Sequence, residues 1–306
     1  MTSMILRRLA QMPFILLAIY TVTFLLAWAL PGSAVVNDEG RAPPPEVLAA
    51  IEARYGLDDP VRFYVSYLRD VLLHLDFGPS LRYPDWTVNQ IVAGALPVSV
   101  ALGLTAILIA TVLGVAAGVI GALRPNSGAD LATLALALIG ISLPTFVIGA
   151  VLLIVFPVWL DVGRVGGWGA PGDLLLPAFT LSLPFAAYIA RLTRMGMIDA
   201  LAADHIRTAR AKGLPERTVI LKHALKNAFL PVLSYLGPAA AAAMTGSFVI
   251  EKVFNVPGIG QHFVNGVLNK DLFLIMGVVL IYATILIVFN LAVDVLYRWI
   301  DPRIEQ

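Results

Sequence analysis

The sequence contains no cysteine, which excludes disulfide frameworks, thiolate metal sites and cysteine nucleophiles together. It is also poor in charge. Asp, Glu, Lys and Arg make up 13 % of the chain, against roughly 25 % in an ordinary soluble domain. Its four histidines are well separated, so a dedicated metal centre is not expected. No G-x-x-x-x-G-K-[ST] phosphate loop occurs, so the chain has no nucleotide site of its own and is not expected to be an enzyme. Apolar residues take the place of charge, at 59 % of the chain with a mean hydropathy of +0.85. A chain this apolar cannot coat itself with enough polar surface to stay in water. The 306 residues therefore read as an integral membrane protein rather than as one or two soluble domains.

Six stretches reach, or come close to, the roughly 20 apolar residues that a helix needs to cross the hydrocarbon core. They are 9–30, 95–122, 131–160, 174–190, 228–250 and 272–293, the fourth continuing as helix past Arg191. The fold class expected is an all-α polytopic bundle of six transmembrane helices. Arg7 and Arg8 precede the first span and place the N-terminus in the cytoplasm. With that orientation the cytoplasmic segments hold 13 of 21 basic but only 7 of 20 acidic residues. The opposite side holds 8 basic and 13 acidic residues, and reversing the chain would invert this bias. An even number of spans returns the C-terminus to the cytoplasm. The first span's apolar core of about 22 residues exceeds a signal h-region of roughly 7–15, so it is expected to be kept as a span.

The segment 31–94 is then extracytoplasmic. Pro43, Pro44 and Pro45 lead into 46–55, where Val47, Ala50, Ile51 and Arg54 fall at helical spacing. A second amphipathic stretch, 61–75, places Tyr64, Tyr67, Leu68, Val71 and Leu72 on one face. Two short helices capping the bundle explain both stretches more simply than a substrate-recognition surface does. Within the spans, Gly114 and Gly118 form a small-xxx-small pair continued by Gly121, which allows close helix approach. Pro144, Pro184 and Pro231 are expected to kink their helices.

The middles of all six spans lack Asp, Glu, Lys, Arg and His. Intramembrane charge usually marks ion or proton pathways, so proton-coupled transport has no relay here. A membrane protease would have no dyad. Asp130, Arg191, Arg194, Glu251, Asp294 and Arg298 fall near span ends, where they can reach water or headgroups. The polar groups left inside are hydroxyls and an amide, including Thr111, Thr180, Ser182, Tyr188, Ser234, Tyr235 and Asn290. Most are expected to bond to carbonyls of their own helices, and some to line a wide path.

The segment 199–231 reads DALAADHIRTARAKGLPERTVILKHALKNAFLP. Asp204 suits the N-cap of a short helix over 206–212, and Gly213 suits the left-handed residue that ends it. Pro215 suits the first position of a second helix with Glu216 in its first turn. Leu221, Leu225 and Ala228 would form its apolar stripe. Arg207, Arg210, Lys212, Arg217, Lys222 and Lys226 surround the pair. A solvated basic loop explains the charge but not the Gly-Leu-Pro hinge. A DNA-binding helix-turn-helix is a poor fit with both ends tethered in a membrane, and no nucleic acid partner is expected. A docking element for a cytoplasmic partner explains both features.

RTARAKG followed by KHALKNAFLP resembles the cytoplasmic coupling motif of ABC-importer membrane subunits in its dipeptide, oligopeptide and nickel branch. LDFGPS (75–80), LPVS (96–99), GISLPTF (140–146), TGSFVIEKVFNVPGIGQ (245–261) and DVLYRWIDPRI (294–304) extend the resemblance over nearly the whole chain. YPDWTVNQIV (83–92) with VNGVLNKD (264–271) is most similar to the oligopeptide-permease B group. The wider importer pattern begins Glu-Ala-Ala, so Arg207 and Thr208 depart from it, as is usual for the peptide branch.

The resemblance implies the type I ABC importer permease fold, with an N-terminal helix and extracytoplasmic segment over 1–94. A five-helix core over 95–306 would follow, carrying its coupling loop at 191–227. It implies a homologous second permease subunit, two ATPase subunits that bind ATP and Mg, an extracytoplasmic peptide-binding protein and contact with membrane lipid. Coupling would fall to Arg207, Thr208, Ala209, Arg210, Lys212, Gly213 and Leu214. Glu251, Pro257, Gly258 and Gly260 are candidates for a periplasmic gate or a re-entrant turn. Dipeptides, glutathione or nickel are alternative cargo, and a non-transporting membrane scaffold is the alternative of another class.

Overall fold

A backbone that crosses lipid must satisfy its own hydrogen bonds, and helices do so within one segment. The computed structural model describes residues 2–32, 44–83, 85–170, 172–245 and 248–300. Pro43, Gly246 and Ser247, with residues 301–304 of the last tract above, lie outside them. The helices are α1 Thr2–Trp28, α2 Pro45–Tyr55, α3 Pro60–His74, α4 Val88–Leu123, α5 Gly128–Ser142 and α6 Thr145–Trp159. They continue as α7 Leu175–Ala202, α8 Asp204–Ala211, α9 Glu216–Ala228, α10 Leu230–Met244, α11 Phe248–Val253, α12 Ile259–Leu268 and α13 Leu272–Ile300. One isolated bridge, Pro79 to Thr87, is the β pairing among the described residues.

Helices α1, α4, α7 and α13 are each long and apolar enough to cross a membrane. Two more spans come as bent pairs, α5 with α6 at 101° and α9 with α10 at 55°, so six are reached when each pair counts once. The bends have local causes. Leu143 precedes Pro144 and is pushed to extended backbone, φ −86° and ψ 134°. Pro231 sits in the first turn of α10, where a missing N–H is harmless. The kink expected at Pro184 is not a break, because α7 runs unbroken through it. Helix α4 starts earlier than its apolar run. Thr87 Oγ1 accepts from Gln90 N at 3.2 Å while Gln90 Oε1 accepts from Thr87 N at 2.9 Å, a reciprocal capping box.

The chain divides into two compact units. The first comprises the described residues of Met1–Ser99 and Pro257–Ile287. Its core is aromatic, with Tyr20, Phe24, Phe63, Tyr67 and Phe273 buried together. The Phe63 ring meets Phe273 edge-on at 5.1 Å and stacks on Tyr67 at 5.7 Å. Helix α3 forms where its pattern predicts, N-capped by Asp59, which accepts from Val61 N at 2.8 Å and Arg62 N at 3.2 Å. Of the expected face, Tyr67 is buried and Tyr64, Leu68 and Val71 pack against the core, whereas Leu72 falls outside it and Phe63 joins it. Phe63 and Tyr67 point inward and Leu72 is 70 % exposed, because the large rings fill the space beside α1. Tyr20 fixes that register by donating to the Tyr64 carbonyl at 2.6 Å.

The second unit comprises the described residues of Val100–Val256 and Val288–Gln306. Helix α7 is its hub, packed against α5, α6, α8, α9, α10 and α11. The glycine row of α4 allows the close approach expected of it, with Gly114 and Gly118 against α7 and Gly121 against Asp130 and Thr133 of α5. A Cβ on Gly118 would fall 2.5 Å from Thr193 Cβ and 2.6 Å from the Ala190 carbonyl oxygen, so only glycine allows this approach. Hydroxyls inside the spans mostly bond their own helices. Thr111 donates to the Ile107 carbonyl at 2.7 Å, Thr180 to Leu176 at 2.9 Å and Ser182 to Phe179 at 2.6 Å.

Two acidic residues expected to reach water do not. Asp130 is fully buried and takes a bidentate pair from Arg194, Nε to Oδ1 at 2.6 Å and Nη2 to Oδ2 at 2.7 Å. Asn126 N adds a third bond at 2.8 Å. The partner that neutralises Asp130 lies 64 residues along the chain. Glu251 is buried as well, because α11 packs its inner face against α6 and α7.

Candidate coupling element and buried polar links

One residue, Ala203, separates α7 from α8. It is extended, φ −74° and ψ 152°, and occupies the N-cap position without a side-chain cap. Asp204 is therefore the first helical residue and not the cap. Its carboxylate faces the helix dipole and pairs with Arg207 at 3.4 Å, both side chains exposed. The helix ends as the glycine predicts. Gly213 has φ +74°, the Gly213 N–H bonds the Arg210 carbonyl at 2.9 Å and the Leu214 N–H bonds the Ala209 carbonyl at 3.3 Å. These two bonds close a Schellman motif.

The candidate coupling residues divide by face. Ile206 and Ala209 turn inward, fully or nearly buried against Met197, Ala200, Val219, Ala224 and Ala228. Arg207, Thr208, Arg210, Lys212, Gly213 and Leu214 are exposed. Arg210 is not left for another chain alone. It grips Glu216 across the turn, Nη2 to Oε1 at 2.6 Å and Nε to Oε2 at 3.2 Å, and that carboxylate raises the Arg210 pKa. The pair clamps α8 to the start of α9.

Helix α9 departs from the expected stripe. Pro215 stands just before it with extended backbone, φ −61° and ψ 141°, instead of at its first position. Val219–Ala224 is a π-helical turn, which inserts one residue into the register. The buried positions are accordingly Val219, Ala224 and Ala228, five and then four apart. Leu221 is rotated outward and is 50 % exposed, while Leu225 is half-buried.

Buried polar links in the first unit join tracts that are far apart in sequence. Asp271 and Ser80 are both buried. Ser80 Oγ donates to Asp271 Oδ2 at 2.5 Å, and the same oxygen accepts from Leu81 N at 3.0 Å and Arg82 N at 3.2 Å. Asp271 Oδ1 caps α13 through Leu274 N at 3.2 Å. The end of LDFGPS is thus held by the end of VNGVLNKD. Asp271 stands just before an apolar run, the place of an N-cap, and that signal is in the sequence; its bond to Ser80 is not. Ser99, the last residue of LPVS, accepts from Ile259 N at 2.9 Å and so caps α12 from another helix.

Of the gate candidates, Glu251 belongs to the second unit, and Pro257, Gly258 and Gly260 to the first. Pro257 is exposed, whereas Gly258 and Gly260 are buried. The turn before them is made by Asn255 with φ +51°, a residue type that tolerates this region. Gly258 is extended, φ −93° and ψ 171°, so the turn does not depend on it. Among the described residues no cluster of three or more His, Asp or Glu could hold a metal ion.

Residues 110–306 match the family model described as "Binding-protein-dependent transport system inner membrane component". Residues 1–100 match the model of the N-terminal part of such membrane components. The chain belongs to this family. It is 48 % identical over 308 residues to the oligopeptide transport system permease protein OppB of Salmonella typhimurium, with all of both chains covered. It is 42 % identical to the dipeptide transport system permease protein DppB of Bacillus subtilis, over all of this chain and 98 % of that one. Two solved structures share the fold at low identity. One is an amino acid ABC transporter (TM-score 0.52, 15 % identity, 69 % of this chain and 94 % of that one). The other is the inward-facing MetNI methionine ABC transporter (TM-score 0.53, 18 % identity, 69 % of this chain and 96 % of that one). The protein is a multi-pass inner-membrane permease component of a multi-subunit transport system. The outward residues of α8 and the turn after it, Arg207, Thr208, Arg210 and Lys212, make a polar, basic surface.

Proposed function

We propose that this permease imports oligopeptides across the inner membrane, forming half of the pathway with a homologous permease subunit. Two ATPase subunits would bind ATP and Mg below it, and an extracytoplasmic binding protein would deliver peptide from above. The observation that carries the coupling part is α8: a short, outward-facing basic helix, closed by Gly213 and joined to α7 through Ala203 alone. In this reading both termini and the 191–227 loop face the cytoplasm, as the Lys and Arg bias favours. Arg207, Thr208, Lys212, Gly213 and Leu214 contact the ATPase, Arg210 shapes the turn through Glu216, and Ala209 seats the helix. Residues 1–94 act as an N-terminal helix with an extracytoplasmic cap, and 95–306 as the transport core. The segment from Glu251 to Gly260 faces the binding protein as gate or re-entrant turn.

Identity favours oligopeptides over dipeptides, 48 % to the Salmonella relative against 42 % to the Bacillus one. A pathway lined by hydroxyls and small apolar groups suits cargo of variable side chain. The test is reconstitution of the complete importer with its binding protein, measuring ATP hydrolysis against peptides of graded length. Stimulation by longer peptides is expected. Stimulation by dipeptides only, or by none, overturns the oligopeptide assignment.

A further inference from the structure

We propose that a groove along α7 in the second unit binds one anionic glycerophospholipid, its acyl chain among the helices and its phosphate at Arg191. The groove has two contiguous stretches. The larger, about 550 Å³, is walled by α4, α5, α6 and α7, and its lining is apolar apart from Thr133. The smaller, about 260 Å³, continues it to Arg191 and Arg194. Ala117, Thr133, Ala137, Ala187 and Ala190 line both, so the two form one slot. Thr133 spends its hydroxyl on the Asp130 carbonyl at 2.9 Å. The slot therefore offers no free donor to a peptide or other polar ligand along its length.

Charge sits at one end only. Arg194 is neutralised there by Asp130. Arg191 is exposed and has no carboxylate partner among the described residues. An apolar slot ending in one uncompensated guanidinium complements an amphiphile with an acidic head, and Arg suits a phosphate through its planar fork of donors. Basic pockets between transmembrane helices recognise anionic headgroups by the same chemistry. The inference rests on the chain spanning the membrane and not on what it transports.

The intact importer, reconstituted in phosphatidylcholine nanodiscs with a minor fraction of phosphatidylglycerol, is examined by native mass spectrometry after detergent release. The wild type is expected to retain phosphatidylglycerol in preference to phosphatidylcholine. Arg191→Gln should lower that preference by about fivefold, the attraction of one basic side chain near an anionic lipid surface. Arg191→Lys should keep most of it, and Ala137→Trp should expel lipid of either kind by filling the slot. Equal retention by the wild type and Arg191→Gln overturns the proposal. So does efficient cross-linking of Ala137→Cys to the second permease subunit, which would mean that a protein helix fills the groove. Because this chain has no native cysteine, a thiol-directed photo-cross-linker attached to it marks position 137 alone.

Discussion

Arg194 and Asp130 form a pair whose members are unequal. Asp130 is fully buried, while the Arg194 side chain retains 20 % exposure. Removing the arginine leaves a buried carboxylate without its counter-charge, whereas removing the carboxylate leaves a guanidinium that can still turn toward water. Arg194→Gln is therefore expected to lower the thermal stability of the solubilised protein more than Asp130→Asn, as followed by melting on size-exclusion chromatography. His262 gives a pH-dependent counterpart. Its ring packs edge-on to Tyr83 at 5.7 Å, and burial lowers its pKa from the ordinary 6.5. The folded state thus holds the ring neutral, and the unfolded state gains the proton first as pH falls. Stability from this site is complete above pH 6.5 and declines below it, and His262→Phe should flatten that part of the stability profile. Neither residue's role was legible beforehand. Asp130 reads as a span-end charge and His262 as one of four scattered histidines, because the groups that define them come from other helices.

At the scale of elements, the α8 turn was largely legible and the helix after it was not. Gly213 announces a left-handed position, and the structure holds it at φ +74°. A β-branched residue there costs on the order of 1–2 kcal/mol or more. Gly213→Val is expected to leave the permease inserted and assembled but to lower peptide-stimulated ATP hydrolysis. Gly213→Asn should stay near wild type, since asparagine accepts this conformation. Equal activity of the valine and wild-type proteins would remove α8 from the coupling path. The apolar stripe of α9 misleads because stripes are counted at helical spacing, and the π turn at Val219–Ala224 shifts the phase by one residue. In the first unit, Asp271→Ala should destabilise more than Ser80→Ala. It removes the acceptor of two backbone N–H groups and a hydroxyl as well as the α13 cap, and leaves a buried void in place of a carboxylate. Ser80→Ala removes a hydroxyl that accepts from Arg82 N and Tyr83 N, of which Arg82 N keeps its bond to Asp271. The capping box at Thr87 and Gln90 was present in the sequence and marks a helix start that hydropathy alone places seven residues late.

For the whole molecule, hydropathy and charge bias suffice for an all-helical membrane bundle, and the tracts shared with peptide permeases suffice for the family. The division into two units was not legible, since it gathers Pro257–Ile287 with the N-terminal third of the chain, a pairing set by long-range contacts. Orientation can be read directly, because a chain without cysteine gives no background to thiol labelling. Asn126→Cys should resist a membrane-impermeant maleimide in spheroplasts and react in inverted vesicles. Gly169→Cys, in the α6–α7 connection, should do the reverse. The single residue between α7 and α8 has a mechanical consequence. One extended residue supplies at most about 3.6 Å of reach, so the joint has almost no slack to take up before it transmits force. A sideways load on α8 becomes torque on α7, a rigid shaft on the order of 40 Å long to which most of the second unit is geared. In the coupling role proposed for α8, lengthening that joint with two or three glycines should introduce backlash: docking on α8 would survive, and the stroke would be lost before it reached the pathway.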